Sequence, residues 1–99
     1  MNYPGQKESV ISLLVEDDDD GAAVDWYGGD GLFAVNGTWD GATASLEWRA
    51  NSLADWIVLG DSVALEADGG VVFTLPNGQL RCAVADAGTT SLTAFAKRV

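Results

Sequence analysis

The chain has 99 residues, 15 acids against 5 bases, no histidine and a formal net charge of −10. That length holds one domain with a modest core, burying about two-thirds of what the unfolded chain exposes. The charge disfavours nucleic acid and anionic membranes, whose binders need basic patches, and without histidine a Ser-His-Asp or Cys-His catalytic arrangement is impossible.

The opening MNYPGQKESV has no apolar core region of the kind a signal peptide carries. No apolar run approaches the roughly 20 residues that span a bilayer. The expectation is a chain neither secreted by that route nor embedded in a membrane. Residues 1–7, with Pro4 and Gly5, read as an N-terminal arm, either frayed or ordered on a partner. Residues 8–99 read as a single β domain.

Residues 8–15 predict the first strand. Ile11, Leu13 and Val15 alternate with Val10, Ser12 and Leu14, so both faces are apolar. Such a strand is expected to be central or covered on both sides. The run EDDDD at residues 16–20 cannot be buried, because its carboxylates repel one another. A solvated loop is the plain reading. A Ca²⁺ site built from Asp17, Asp18, Asp19 and Asp20 is the sharper one, since hard cations take clustered carboxylate oxygens, but the alternating spacing of an EF-hand is absent.

Ala22, Val24 and Trp26 share a phase and predict a second short strand. Residues 27–31, YGGDG, read as a turn. No lysine follows and no helix begins there, so a phosphate-binding loop is excluded. A third strand opens at Leu32. Asn36-Gly37 and Asp40-Gly41 are both dipeptides that could set a tight hairpin. Residues 42–49 then alternate cleanly, with Ala44, Leu46 and Trp48 on one face and Thr43, Ser45, Glu47 and Arg49 on the other.

A polar loop leads to a short strand at residues 56–59. Val63 and Leu65 pair on one face of a segment over 62–66. Residues 67–70 read as a turn, 71–75 as a strand and 76–78 as the next turn. Leu80, Cys82 and Val84 define an inner face, and Asp86-Ala87-Gly88 turns the chain. In the last strand Leu92, Ala94 and Ala96 share a face with Phe95 opposite. Turn signals every eight to twelve residues between short strands predict an all-β antiparallel sandwich, Ig-like or jelly-roll-like, of about eight strands.

Cys82 stands alone, so there is no intrachain disulfide and no cysteine metal cluster. In phase with Leu80 and Val84, it reads as a buried small hydrophobe. That fits a reducing cytoplasm. Fifteen acids place some carboxylate pair at a glycosidase spacing by chance alone, so no catalytic residue is assigned. Of the four tryptophans, Trp26 and Trp48 are in phase with core residues. Trp39 and Trp56 lie in loops, where they cap the core or stack on a sugar or a protein partner. Lys97-Arg98-Val99 reads as a solvated tail, with contact to an acidic neighbour as the alternative.

From residue 36 the order of motifs is familiar. GTWDGATASLE leads through a loop to WIVL, and ADGGVVFTLPNGQLR follows. This resembles small structural proteins of tailed bacteriophages, over roughly residues 36–96, and within that group capsid decoration (cement) proteins above all. The EDDDD loop and the turn at Gly28 to Gly31 are not part of that pattern. The resemblance implies a non-enzymatic virion protein, made in the host cytoplasm, on the outer capsid surface. It implies the major capsid protein as partner and self-association, expected as a trimer about a shell threefold. It implies no cofactor, no nucleic acid and no membrane. The contacts expected are Tyr3 and Pro4 in the arm, with Trp39 and Trp56 on loops. The alternative is a carbohydrate- or receptor-binding module of a tail or head fibre.

Overall fold

The structure, a computed structural model, describes residues 10–17 and 19–99. The arm, with Tyr3 and Pro4, and Asp18 lie outside the described residues. Nine strands follow in order: β1 (Val10–Asp17), β2 (Val24–Trp26), β3 (Gly29–Thr38), β4 (Thr43–Arg49), β5 (Ile57–Val58), β6 (Ala64–Leu65), β7 (Gly69–Leu75), β8 (Gly78–Ala85) and β9 (Ser91–Arg98). A single 3-10 turn, Asp61–Val63, separates β5 from β6.

The strands form two antiparallel sheets, one in the order β1-β9-β3-β7 and the other β2-β8-β4, with β5 and β6 both along the far side of β4. Taking β5 and β6 as one interrupted strand leaves eight, and every connection except β4 to β5 crosses from sheet to sheet. That is the strand order of a jelly roll, one of the two arrangements the sequence allows.

Burial follows the alternation expected of half-buried strands. Phe33 and Val35 of β3, Leu46 of β4, Leu80 and Cys82 of β8, and Leu92, Ala94 and Ala96 of β9 meet between the sheets. Trp26 closes one end of this core, its ring 5.1 Å from that of Phe73. Gly31 lies beside this pair, and a β-carbon there would stand 2.6 Å from Phe73 and 2.7 Å from Trp26. Only a residue without a side chain lets the two rings pack.

Four local expectations are corrected. First, β1 is an edge strand rather than a central one, paired among the described residues with β9 alone. Its register shifts between Ser12 and Leu14 and again between Leu14 and Asp17. These irregularities break the alternation: Leu13 and Leu14 are both buried and Val15 is exposed. Second, neither turn dipeptide makes a hairpin. Asn36 and Gly37 continue β3, whereas Asp40 and Gly41, at φ 45° and 83°, swing the chain across to the other sheet. Third, the glycines at 29, 31, 69 and 70 belong to strands, because β3 and β7 pair along their full length from Gly29↔Leu75 to Val35↔Gly69. Fourth, Ser62 and Val63 sit in the 3-10 turn, not in a strand.

Among the described residues no helix is long and apolar enough to cross a membrane.

Candidate functional site

The outward side chains of the two sheets differ in kind. On the β1-β9-β3-β7 sheet, register sets up one row of Val10, Lys97, Leu32 and Val72, and a second of Ser12, Phe95, Ala34 and Gly70. Val10 is 51% exposed and Val72 67%. Lys97 is the one charge in these two rows. On an acidic chain this is a nearly uncharged, apolar strip.

The outer face of the other sheet is a charged network. Arg81 Nε donates to Glu47 Oε1 at 2.7 Å, and its Nη1 lies 3.9 Å from Asp20 Oδ2. Arg49 Nε donates to Gln79 Oε1 at 2.8 Å, and Gln79 Nε2 donates to Asp25 Oδ1 at 3.2 Å. Trp56 folds over both arginines, whose guanidinium carbons lie 4.4 Å (Arg49) and 4.7 Å (Arg81) from its ring centre. Planar guanidinium stacked on an indole face is a favourable arrangement. Glu47, on the polar side of its strand, is nonetheless buried under this cover.

The two ends of the sandwich also differ. At one end three connections are stitched together. Asp68 Oδ1 accepts the Trp39 indole N–H at 2.8 Å and the Gly37 N–H at 3.0 Å. Thr90 Oγ1 donates to the Trp39 carbonyl, and Asp40 accepts the Thr89 N–H. Trp39 is half-buried and packs against the core. At the other end a cleft of about 360 Å³ opens between the β2–β3, β4–β5 and β7–β8 connections. Tyr27, Asn51 and Asn77 come one from each connection, and Asp25 and Gln79 form a strand wall. A second space, a groove of about 320 Å³, runs between β7 and the segment that includes Leu59 and Val63.

The expected site residues are therefore dispersed. Trp39 and Trp56 sit at opposite ends of β4, each tied to other side chains, and do not form one surface. In the acidic run, Asp20 turns back to β8, where its Oδ1 accepts the Val84 N–H at 2.9 Å, and Asp19 accepts the Asp20 N–H. No three acidic or cysteine side chains among the described residues converge as metal ligands. Cys82 is buried as expected. Its surroundings push the thiol up to about 12, first through loss of water and then through the carboxylates of Asp20 and Glu47. Such a thiol stays protonated and unreactive.

The apolar strip and the cleft were not singled out by the sequence. The strip draws one or two side chains from each of four strands. The cleft draws on loops some 25 residues apart, and its only linear signals were Asn51 and Asn77 in turns and an aromatic before a glycine pair.

No protein-family model, curated protein or solved structure matches the chain.

Proposed function

We propose that this chain is a non-enzymatic capsid decoration protein of a tailed bacteriophage, which binds the outer head surface and stabilises the shell. The observation that carries the reading is the unequal sharing of charge between the two outer faces. A strip built on Val10, Leu32, Val72, Phe95 and Ala34 carries one charge, Lys97, while the chain as a whole carries −10. A protein that lies flat on a larger assembly needs one such face, with its acids turned elsewhere. The motif resemblance over residues 36–96 supplies the kind of assembly. Jelly rolls serve viral capsids, lectins and cupins alike, so the fold is compatible with the reading without choosing it. In this reading the partner is the major capsid protein, and copies gather about a shell symmetry axis as a trimer.

The test is binding to intact heads, with the protein located by antibody labelling in electron microscopy. Label over the head surface is expected. Val72→Asp in the strip should reduce occupancy by about tenfold, because it removes an exposed apolar contact and puts a charge in its place. Val58→Asp, on the opposite outer face, should leave it unchanged. Label confined to tails or fibre tips overturns the reading.

A further inference from the structure

The cleft at the β2–β3 end lies apart from the strip to which shell binding is assigned. We infer that it is a binding site for a neutral sugar, independent of the apolar strip. Three observations point there. The first is an aromatic platform: Tyr27 is 76% exposed at the rim. A ring held in water beside a cavity, rather than folded onto the core, offers its face to the C–H side of a pyranose.

The second is a wall whose polar groups are already oriented. Arg49 holds the Gln79 carbonyl oxygen, and the Gln79 amide in turn holds Asp25. Asn51 and Asn77 face this wall from two other connections. Amides and a carboxylate together supply both donors and acceptors, which is what neighbouring hydroxyls need. The third is an unmet donor. Trp26 forms part of the lining and is 1% exposed, and its indole N–H has no hydrogen-bond partner among the described residues. An unpaired buried donor is uncommon in a folded protein, and this one places an unspent polar group beside the cleft.

The lining also excludes other chemistries. Among the described residues it contains no lysine or arginine, and the Asp25 carboxylate disfavours a phosphate or carboxylate ligand. A single carboxylate, already hydrogen-bonded, is too few ligands for a Ca²⁺ ion. The volume, about 360 Å³, lies at the small end of ligand sites, which suits a mono- or disaccharide.

The experiment uses the full chain with glucose, galactose and N-acetylglucosamine as probes, each at about 10 mM, enough to populate a millimolar site. Saturation-transfer NMR should carry signal to the ring protons of at least one of them. Tyr27→Ala and Asn77→Ala should each weaken that sugar by about tenfold, the loss of one good contact. Leu53→Ala, exposed in the same loop as Asn51 but outside the lining, should bind like the parent. Tyr27 is exposed, so the variant is expected to keep the parent melting temperature. Tyr27→Leu, which keeps apolar bulk without the ring, serves if it does not. Absence of transfer to all three sugars overturns the inference, and so does undiminished binding by both cleft variants. Shell binding by the same variants should be intact, which separates this outcome from that of the decoration reading.

Discussion

Cys82 is where a single atom reports on the whole core. The thiol lies between the sheets with no exposed surface, and its folded value is pushed up to about 12 from the ordinary 9.0. Below pH 9 both folded and unfolded chains hold the proton, and the group contributes nothing to pH dependence. Above pH 9 the unfolded thiol ionises while the folded one stays protonated. The folded state then binds more protons, so stability falls as pH rises from 9 towards 12. The slope is about 1.4 kcal/mol per pH unit. Unfolding free energies from urea titrations at pH 8 and pH 10.5 should therefore differ by about 2 kcal/mol more in the parent than in Cys82→Ala, which has no thiol to ionise. The two alkaline limbs coinciding would mean that the thiol reaches water. Cys82→Ala itself should cost about 1 kcal/mol at pH 8 through the small cavity it leaves. A thiol reagent should react with the parent only after denaturant is added.

The strands differ most in how their edges are protected. The sheets have four edges: β1, β7, β2, and the side of β4 carrying β5 and β6. β1 is irregular and ends at an acid, β2 is three residues long, and β5 and β6 are two residues each. Short, bent or charged edges resist pairing with other chains. β7 has none of these features. Its seven residues, GGVVFTL, carry no charge and pair with β3 in continuous register. We expect β7 to be the self-pairing edge, with Val72→Lys lowering the concentration-dependent mass seen by light scattering while moving the melting temperature little. A parent that stays monomeric at all concentrations would show the edge to be blocked. The same comparison explains what could be read from the sequence. Alternation in β4, β8 and β9 gave the correct inner faces, because regular strands obey a period of two. It failed in β1, where register shifts put adjacent Leu13 and Leu14 both inside. A shift depends on the partner strand, and a linear pattern carries no record of partners. The burial of Glu47 was hidden for a similar reason. Its polar face was legible, but its cover comes from Trp56 and Arg81, which lie beyond its own strand.

At the scale of the whole molecule, charge sets the cost of bringing two copies together. Each copy carries −10, and neighbours on a shell would repel one another across solvent. Salt shortens that repulsion, the screening length falling from about 30 Å at 0.01 M to about 8 Å at 0.15 M. The apolar strip gains no comparable contribution from ion pairs, since Lys97 is the one charge in its two central rows. Docking through the strip should thus strengthen as salt rises from low to physiological levels. Docking driven by ion pairs between the acidic chain and a basic surface should weaken over the same range. Occupancy of heads measured by sedimentation at 0.01 M and 0.15 M sodium chloride distinguishes the two. A rise, with lower occupancy for Val72→Asp than for the parent at both salt levels, is the outcome expected of an apolar face that brings acidic copies side by side. A steep fall would place the contact on the acidic surface instead and remove the strip from the interface.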